Sequence, residues 1–246
     1  MLGINSTSVM EGTAAAIRKE LETLADPEAA LFAQRFFKTG AGEYGEGDLF
    51  RGIRVPVLRK LSIFLDHTSL PEVIQILLSD YHEDRLLALL LLMRRFKQVK
   101  EQEQEHIYNL YLAHTHRINN WDLVDISAPH IVGRFLQNRD RSPLYRLAVS
   151  ESLWERRIAI ISTVHFIRQG ELADTIALSE ILLQDKEELI HKATGWMLRE
   201  VGKRDMAMLE SFLLKHCLRM PRVMLRYAIE RFPQERRQQY LKGQCT

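Results

Sequence analysis

The chain has 246 residues, 46% of them hydrophobic and 27% charged, with a formal net charge of +2. That is the balance of a soluble globular protein, and no apolar run approaches the ~18 residues of a membrane span. Met1 to Gly12 lack the basic region and apolar core of a secretion signal. The two cysteines, Cys217 and Cys245, are too few and too late in the chain for a disulfide framework or a zinc site, which predicts a reducing, cytoplasmic setting.

In chain order, the segments "TAAAIRKELETLA", "DPEAALFAQRFFK", "PVLRKLSIFLDH" and "HEDRLLALLLLMRRFK" place apolar residues three and four apart and predict helices. Asp26-Pro27 supplies an N-cap followed by proline at the first helical position. Ser69-Leu70-Pro71 opens a further helix in a similar way. The run Leu86 to Met93, bracketed by Arg85, Arg94 and Arg95, reads as a buried helix. "ERRIAIISTVHFIR", "LIHKATGWMLREV" and "MLRYAIERF" continue the same periodicity to the end of the chain. No segment joins β-branched alternation to an Asn-Gly or Asp-Gly turn, so the chain is predicted to be all-α. The exception to the helical pattern is residues 39–55, which hold five of the twelve glycines (40, 42, 45, 47 and 52). These glycines do not lie between a strand and a helix, so the stretch reads as an ordered surface loop rather than a phosphate loop.

Alanines set in apolar helices, each shortly after a basic residue, fall at Ala88, Ala159, Ala193 and Ala228. The spacings of 71, 34 and 35 imply a period in the mid-thirties, with a missing member near residue 123 or 124. Such a period predicts an α-α superhelical solenoid, read as one domain over residues 1–246. On that reading "WDLVD", "ERRIA", "HKATGW" and "MLRYA" occupy equivalent helices lining one concave surface.

The charges are unevenly spread. Residues 1–116 carry 13 Lys/Arg against 16 Asp/Glu, and residues 117–246 carry 21 against 16. Cations interleave with indoles on the equivalent helices: Arg156 and Arg157 beside Trp154, then Lys192, Trp196, Arg199 and Lys203, then Arg219, Arg222 and Arg226. That alternation suits a ligand that is anionic along its backbone and flat in its bases, which describes nucleic acid. Each piece also has a structural reading: Trp154 as core, the last cluster as a solvated helix face, and Asp125 as the salt-bridge partner of Arg157. Trp121 and Asp125 are four apart and share a helix face, so a carboxylate stands beside a stacking surface. The nine histidines show no paired ligand spacing, and no metal is predicted.

The runs "NNWDLVDISAPHIVGRFL", "LWERRIAIIS" and "KATGWMLREVGKRD", with "FKTGAGEYGEGDLFRGIRVPVLRKL" upstream, resemble the AlkD-type DNA alkylation-repair glycosylases. The resemblance implies a HEAT-like solenoid that cradles duplex DNA in its concave face. It implies excision of cationic 3- and 7-alkylpurines without metal or cofactor, by a monomer in a bacterial cytosol or nucleoid, with the lesion left largely stacked. By the same resemblance Asp125 is the catalytic acid, with Trp121 and Trp196 flanking the lesion nucleotide and Arg157 contacting the DNA backbone. Arg199 and the C-terminal arginines are read as further phosphate ligands. The chain departs from the pattern at Glu188-Leu189, where the best-studied version carries aromatics. It departs again at Phe36 or Phe37, where that version has a tyrosine hydroxyl. The alternatives are a non-catalytic solenoid that recognises DNA structure and a protein-interaction scaffold.

Overall fold

The computed structural model describes residues 12–244, all the described elements being helical apart from one isolated parallel bridge, Leu49 to Tyr81. Residues 1–11, read above for a secretion signal, and Cys245 lie outside the described residues. The chain divides into two compact units, Met1–Leu123 and Val124–Thr246.

The first unit holds α1 (Ala14–Thr23), α2 (Pro27–Phe36), α3 (Val55–Phe64), α4 (Leu70–Leu77), α5 (His82–Gln98) and α6 (Glu101–Ala113). Helix α7 (Trp121–Ala128) begins at its end. Asp26 caps α2 as its sequence predicts, its carboxylate accepting from the backbone N–H groups of Glu28 and Ala29, each at 3.1 Å. Ser69 stands at the N-cap of α4 without a side-chain cap bond. The centre of the unit is α5, flanked by α3 and α4, with 13 of its 17 residues buried. Its first turn buries four consecutive ionisable side chains, His82, Glu83, Asp84 and Arg85, ahead of the leucine run.

Burial of charge on that scale is tolerated only when every group is paired, and the loop at residues 39–55 supplies the partners. Glu83 Oε1 accepts from the backbone of Gly52 at 2.7 Å and Ile53 at 3.2 Å, while Oε2 accepts from Arg51 N at 2.9 Å. Arg51 in turn donates to both oxygens of Asp84, at 2.7 and 3.2 Å. Gly52 adopts φ +79, and a Cβ there would stand 2.2 Å from the carbonyl oxygen of Asp26. The glycine is required by both the left-handed backbone and this close approach. The loop is therefore bolted to the buried end of α5.

The second unit continues through a π-helical turn (Pro129–Gly133), α8 (Ser142–Ala148), α9 (Leu153–Ser162), α10 (Val164–Arg168) and α11 (Ala173–Ile181). It ends with α12 (Glu188–Gly202), α13 (Met206–His216), α14 (Arg222–Ala228) and α15 (Gln234–Leu241). Helix α12 packs on α9, α13 and α14, which stacks the helices in the manner of a solenoid within this unit. Ala88, Ala159, Ala193 and Ala228 are all at most 1% exposed, each on a core-facing stripe of α5, α9, α12 or α14. The vacancy in the alanine series is filled by Leu123 and Val124, both fully buried in α7. Ion pairs link residues roughly one repeat apart: Arg51–Asp84 (33), Arg141–Asp174 (33), Arg156–Asp185 (29) and Arg199–Glu230 (31). Cys217 is buried.

Gly195 fixes the closest helix approach. A Cβ at this position would lie 2.4 Å from the carbonyl oxygen of Met224 and 2.6 Å from Cβ of Tyr227, so α12 and α14 would have to separate. Gly195→Ala gains about 1 kcal/mol in helix propensity, yet overpacking a helix seam costs about 1–3 kcal/mol. We expect a net loss, read as a lower urea midpoint with unchanged m-value. An unchanged or raised midpoint would show that the seam yields freely.

Candidate nucleic-acid site

In the second unit, Asp125 projects from α7 and Arg157 from α9. Arg157 donates through Nε to Asp125 Oδ1 at 2.9 Å and through Nη2 to Oδ2 at 2.8 Å, while Nη1 reaches the carbonyl of Leu189 at 2.6 Å. The arginine side chain is 6% exposed and the aspartate 18%, so the carboxylate is the more accessible half of the pair. A planar guanidinium meeting a carboxylate on two parallel bonds fixes both side chains in orientation. Arg157 is engaged with protein partners on all three nitrogens.

The remaining cations divide into two sets. Arg156 is bound to Asp185 at 2.6 Å and to the carbonyls of Ser150 and Glu151, both at 2.9 Å. On α12, Lys192 pairs with Glu188 at 2.6 Å, Lys203 with Glu200 at 2.6 Å, and Arg199 with Glu230. Trp196, half-buried, donates its indole N–H to Glu200 Oε1 at 3.2 Å, so that carboxylate holds both Trp196 and Lys203. Trp154 is half-buried rather than core. Arg222 donates to the carbonyl of Leu241 at 2.5 Å. Arg219 and Arg226 are exposed and have no ion-pair partner among the described residues. Of the predicted phosphate ligands, these two alone have side chains without a protein partner among the described residues, while Arg222 holds a backbone carbonyl and the others hold acids.

In the first unit, Trp121 opens α7 with its backbone N–H on Asn120 Oδ1 at 2.8 Å. Phe37 stacks on its indole with centroids 5.5 Å apart and planes at 26°, and Phe36 meets it edge-on at 6.0 Å. The other acid of "WDLVD", Asp122, turns to His82, Oδ2 lying 2.8 Å from Nε2. The far side of the imidazole faces Asp48 at 3.4 Å, and Arg85 reaches Asp48 at 2.7 Å. Burial works against the charge on His82, and Arg85 adds to that, but the carboxylates of Asp122 and Asp48 outweigh both and push its pKa up to about 9. Burial also works to raise Asp48, whose bonds to His82 and Arg85 nevertheless hold it below the usual carboxylate range. Sequence reasoning missed this cluster. The available signal was "HEDR", four ionisable residues directly ahead of the longest leucine run, where a helix has no polar face left.

His82 is raised in the folded state above its ordinary 6.5, so its contribution to stability is complete below that pH and is lost as pH rises through about 9. The melting temperature should fall between pH 6.5 and 9, and His82→Gln should flatten that decline. A wild-type profile that is level across this window would sink the assignment.

Among the described residues, no helix is long and apolar enough to cross a membrane, and no group of three or more His, Cys, Asp or Glu is placed to hold a metal ion.

The helices of the second unit stack in the manner of a solenoid, and Asp125, 18% exposed, is held bidentately by the buried Arg157. The chain belongs to the DNA alkylation repair enzyme family, whose model matches residues 17–232. Its fold is similar to a solved structure described as a predicted DNA alkylation repair enzyme from Enterococcus faecalis. The TM-score is 0.66 at 18% identity, over 85% of this chain and 97% of that one. No curated protein matches the chain. Membership of the family implies DNA as the substrate.

Proposed function

We propose that the protein is a DNA glycosylase that hydrolyses the N-glycosidic bond of cationic 3- and 7-alkylated purines in duplex DNA. The observation that carries this reading is Asp125, held bidentately by Arg157 while remaining partly open to solvent. Alkylation at N3 or N7 places a positive charge on the purine, so the base departs neutral and the reaction requires no strong acid, metal or cofactor. Positive charge develops on the sugar instead. A preorganised carboxylate beside C1′ stabilises that charge and orients the attacking water, and one such contact contributes ~3–4 kcal/mol, or about 10²–10³ in rate. The indole of Trp121 adds a cation–π contribution of roughly 0.5–2 kcal/mol. Trp196 packs against the lesion nucleotide, and Arg219, Arg226 and Arg222 track phosphates, with Arg199, Lys203, Lys192 and Arg156 as secondary ligands. Arg157 acts here as a positioning residue for Asp125. The protein works as a monomer inside the cell, where its substrate is.

Incubation with methylated genomic DNA, followed by chromatography of the liberated bases, tests the reading. Release of 7-methylguanine and 3-methyladenine is expected. A second reading, a non-catalytic protein that binds DNA structure, draws on the same salt bridge, because the guanidinium offsets part of the negative field of Asp125. Salt-sensitive DNA binding with no base released would select it, and failure to bind DNA at low salt would select a protein-interaction scaffold.

A further inference from the structure

Helix α12 carries Glu188, Lys192, Trp196, Glu200 and, at its C-cap, Lys203, spaced four, four, four and three apart and so aligned on one stripe. Both lysines are answered on the stripe itself, Lys192 by Glu188 and Lys203 by Glu200, each at 2.6 Å. Arg199 is answered by Glu230, just past the end of α14. Glu200 also lies 3.6 Å from Arg199 Nε and accepts the indole N–H of Trp196 at 3.2 Å. The surface around Trp196 thus holds three bases and three acids, and their charges cancel. These acids differ from the one that holds Arg156. Asp185 is 5% exposed and also accepts the backbone N–H of Glu187 at 2.8 Å, so it is part of the framework. Glu188, Glu230 and Glu200 are 63%, 47% and 24% exposed. Exposed ion pairs contribute little to stability, so folding alone does not account for a carboxylate on every cation of this stripe. Their effect on an anionic ligand is direct. A phosphate that takes one of these cations sheds a counterion from the DNA, but it strands a carboxylate that recruits a cation from solution, and the net release is close to nothing.

We propose that Glu188, Glu200 and Glu230 hold down the affinity for undamaged DNA, each standing on its cation where a backbone phosphate would otherwise bind. Unmodified duplex is then gripped through few net charges and is readily let go. The proposal rests on the DNA-acting reading above and concerns release of unmodified DNA from this surface, not the chemistry at Asp125.

Binding to one undamaged duplex, followed by fluorescence anisotropy between about 50 and 200 mM salt, tests the proposal. The variant Glu188→Gln/Glu200→Gln/Glu230→Gln keeps an acceptor oxygen for Trp196 and removes the three charges. It is expected to steepen the slope of log affinity against log salt by about three, and to bind about tenfold or more tightly at the lowest salt. Each single substitution is expected to add about one to the slope, so a variant that failed to fold in its circular dichroism melt would leave the others to decide. The control Glu151→Gln/Glu210→Gln/Glu235→Gln changes net charge equally, at acids of the same unit with no ion-pair partner among the described residues. Its slope is expected to stay within about one of the wild type. No steepening in the first set, or an equal steepening in the control, overturns the proposal and leaves the DNA reading intact. Failure of wild type and variants alike to bind the duplex at the lowest salt overturns both.

Discussion

Asp125→Asn is expected to lower the rate of 7-methylguanine release by about 10²–10³ while changing affinity for undamaged duplex little, because the carboxylate acts on charge that exists only in the transition state. Asparagine keeps the shape and one acceptor oxygen, so Arg157 retains a bond but loses its compensating charge. A buried guanidinium left in that condition costs roughly 3–5 kcal/mol of stability, and the assay therefore belongs well below the variant's melting temperature. The companion variant separates the roles of Arg157. If it positions Asp125, Arg157→Gln lowers kcat with little change in the salt dependence of DNA binding, and Arg157→Lys restores part of the loss. If it were a phosphate ligand, the salt slope would fall by about one unit. Full activity in Asp125→Asn would remove the catalytic assignment, whatever Arg157 does.

The helices and their register were readable from the sequence because both depend on short-range pattern. Asp26-Pro27 marks a cap by local hydrogen bonding alone, and Ala88, Ala159, Ala193 and Ala228 mark a stripe because every repeat must cover its neighbour. What each cation is doing was not readable. Arg156, Arg199 and Arg157 find their acids 29 to 32 residues away, one repeat along the chain. A periodic sequence announces that such partners exist without saying which acid faces which base. Counting bases in a helix therefore overstates the positive surface: of the eight predicted cationic ligands, Arg219 and Arg226 alone have side chains without a protein partner among the described residues. The two acids of "WDLVD" show the same limit, since spacing puts Asp122 and Asp125 one turn apart and only the fold sends one to His82 and the other to Arg157. Gly195 was visible as part of "KATGW", but its reason is the carbonyl of Met224, which belongs to the next repeat.

Arg85→Met is expected to be the most damaging single change for stability. Its side chain is 2% exposed and bridges Asp48, at 2.7 Å, to the carbonyls of Ser79 and Asp80, at 3.1 and 3.0 Å. Methionine matches much of the volume but leaves the buried Asp48 carboxylate with only His82 as a full counter-charge, and two carbonyls without this donor. Removing one partner from a buried pair costs roughly 3–5 kcal/mol. Arg94→Ala, by contrast, breaks a pair with Asp66 whose side chains are 33% and 32% exposed, and should cost about 0–1 kcal/mol. Urea unfolding of the two variants side by side decides between packing and charge as the source of stability in α5. The double variant Arg85→Met/Asp48→Asn sharpens the test, because deleting the stranded charge should restore part of the loss, with a coupling of about 1 kcal/mol or more. The pH profile should shift as well: with Arg85 gone, the opposition it offers to the His82 charge disappears, and the alkaline decline should move to higher pH. A loss below 1 kcal/mol in Arg85→Met would mean that the loop and the leucine run hold this end of α5 without the ion network.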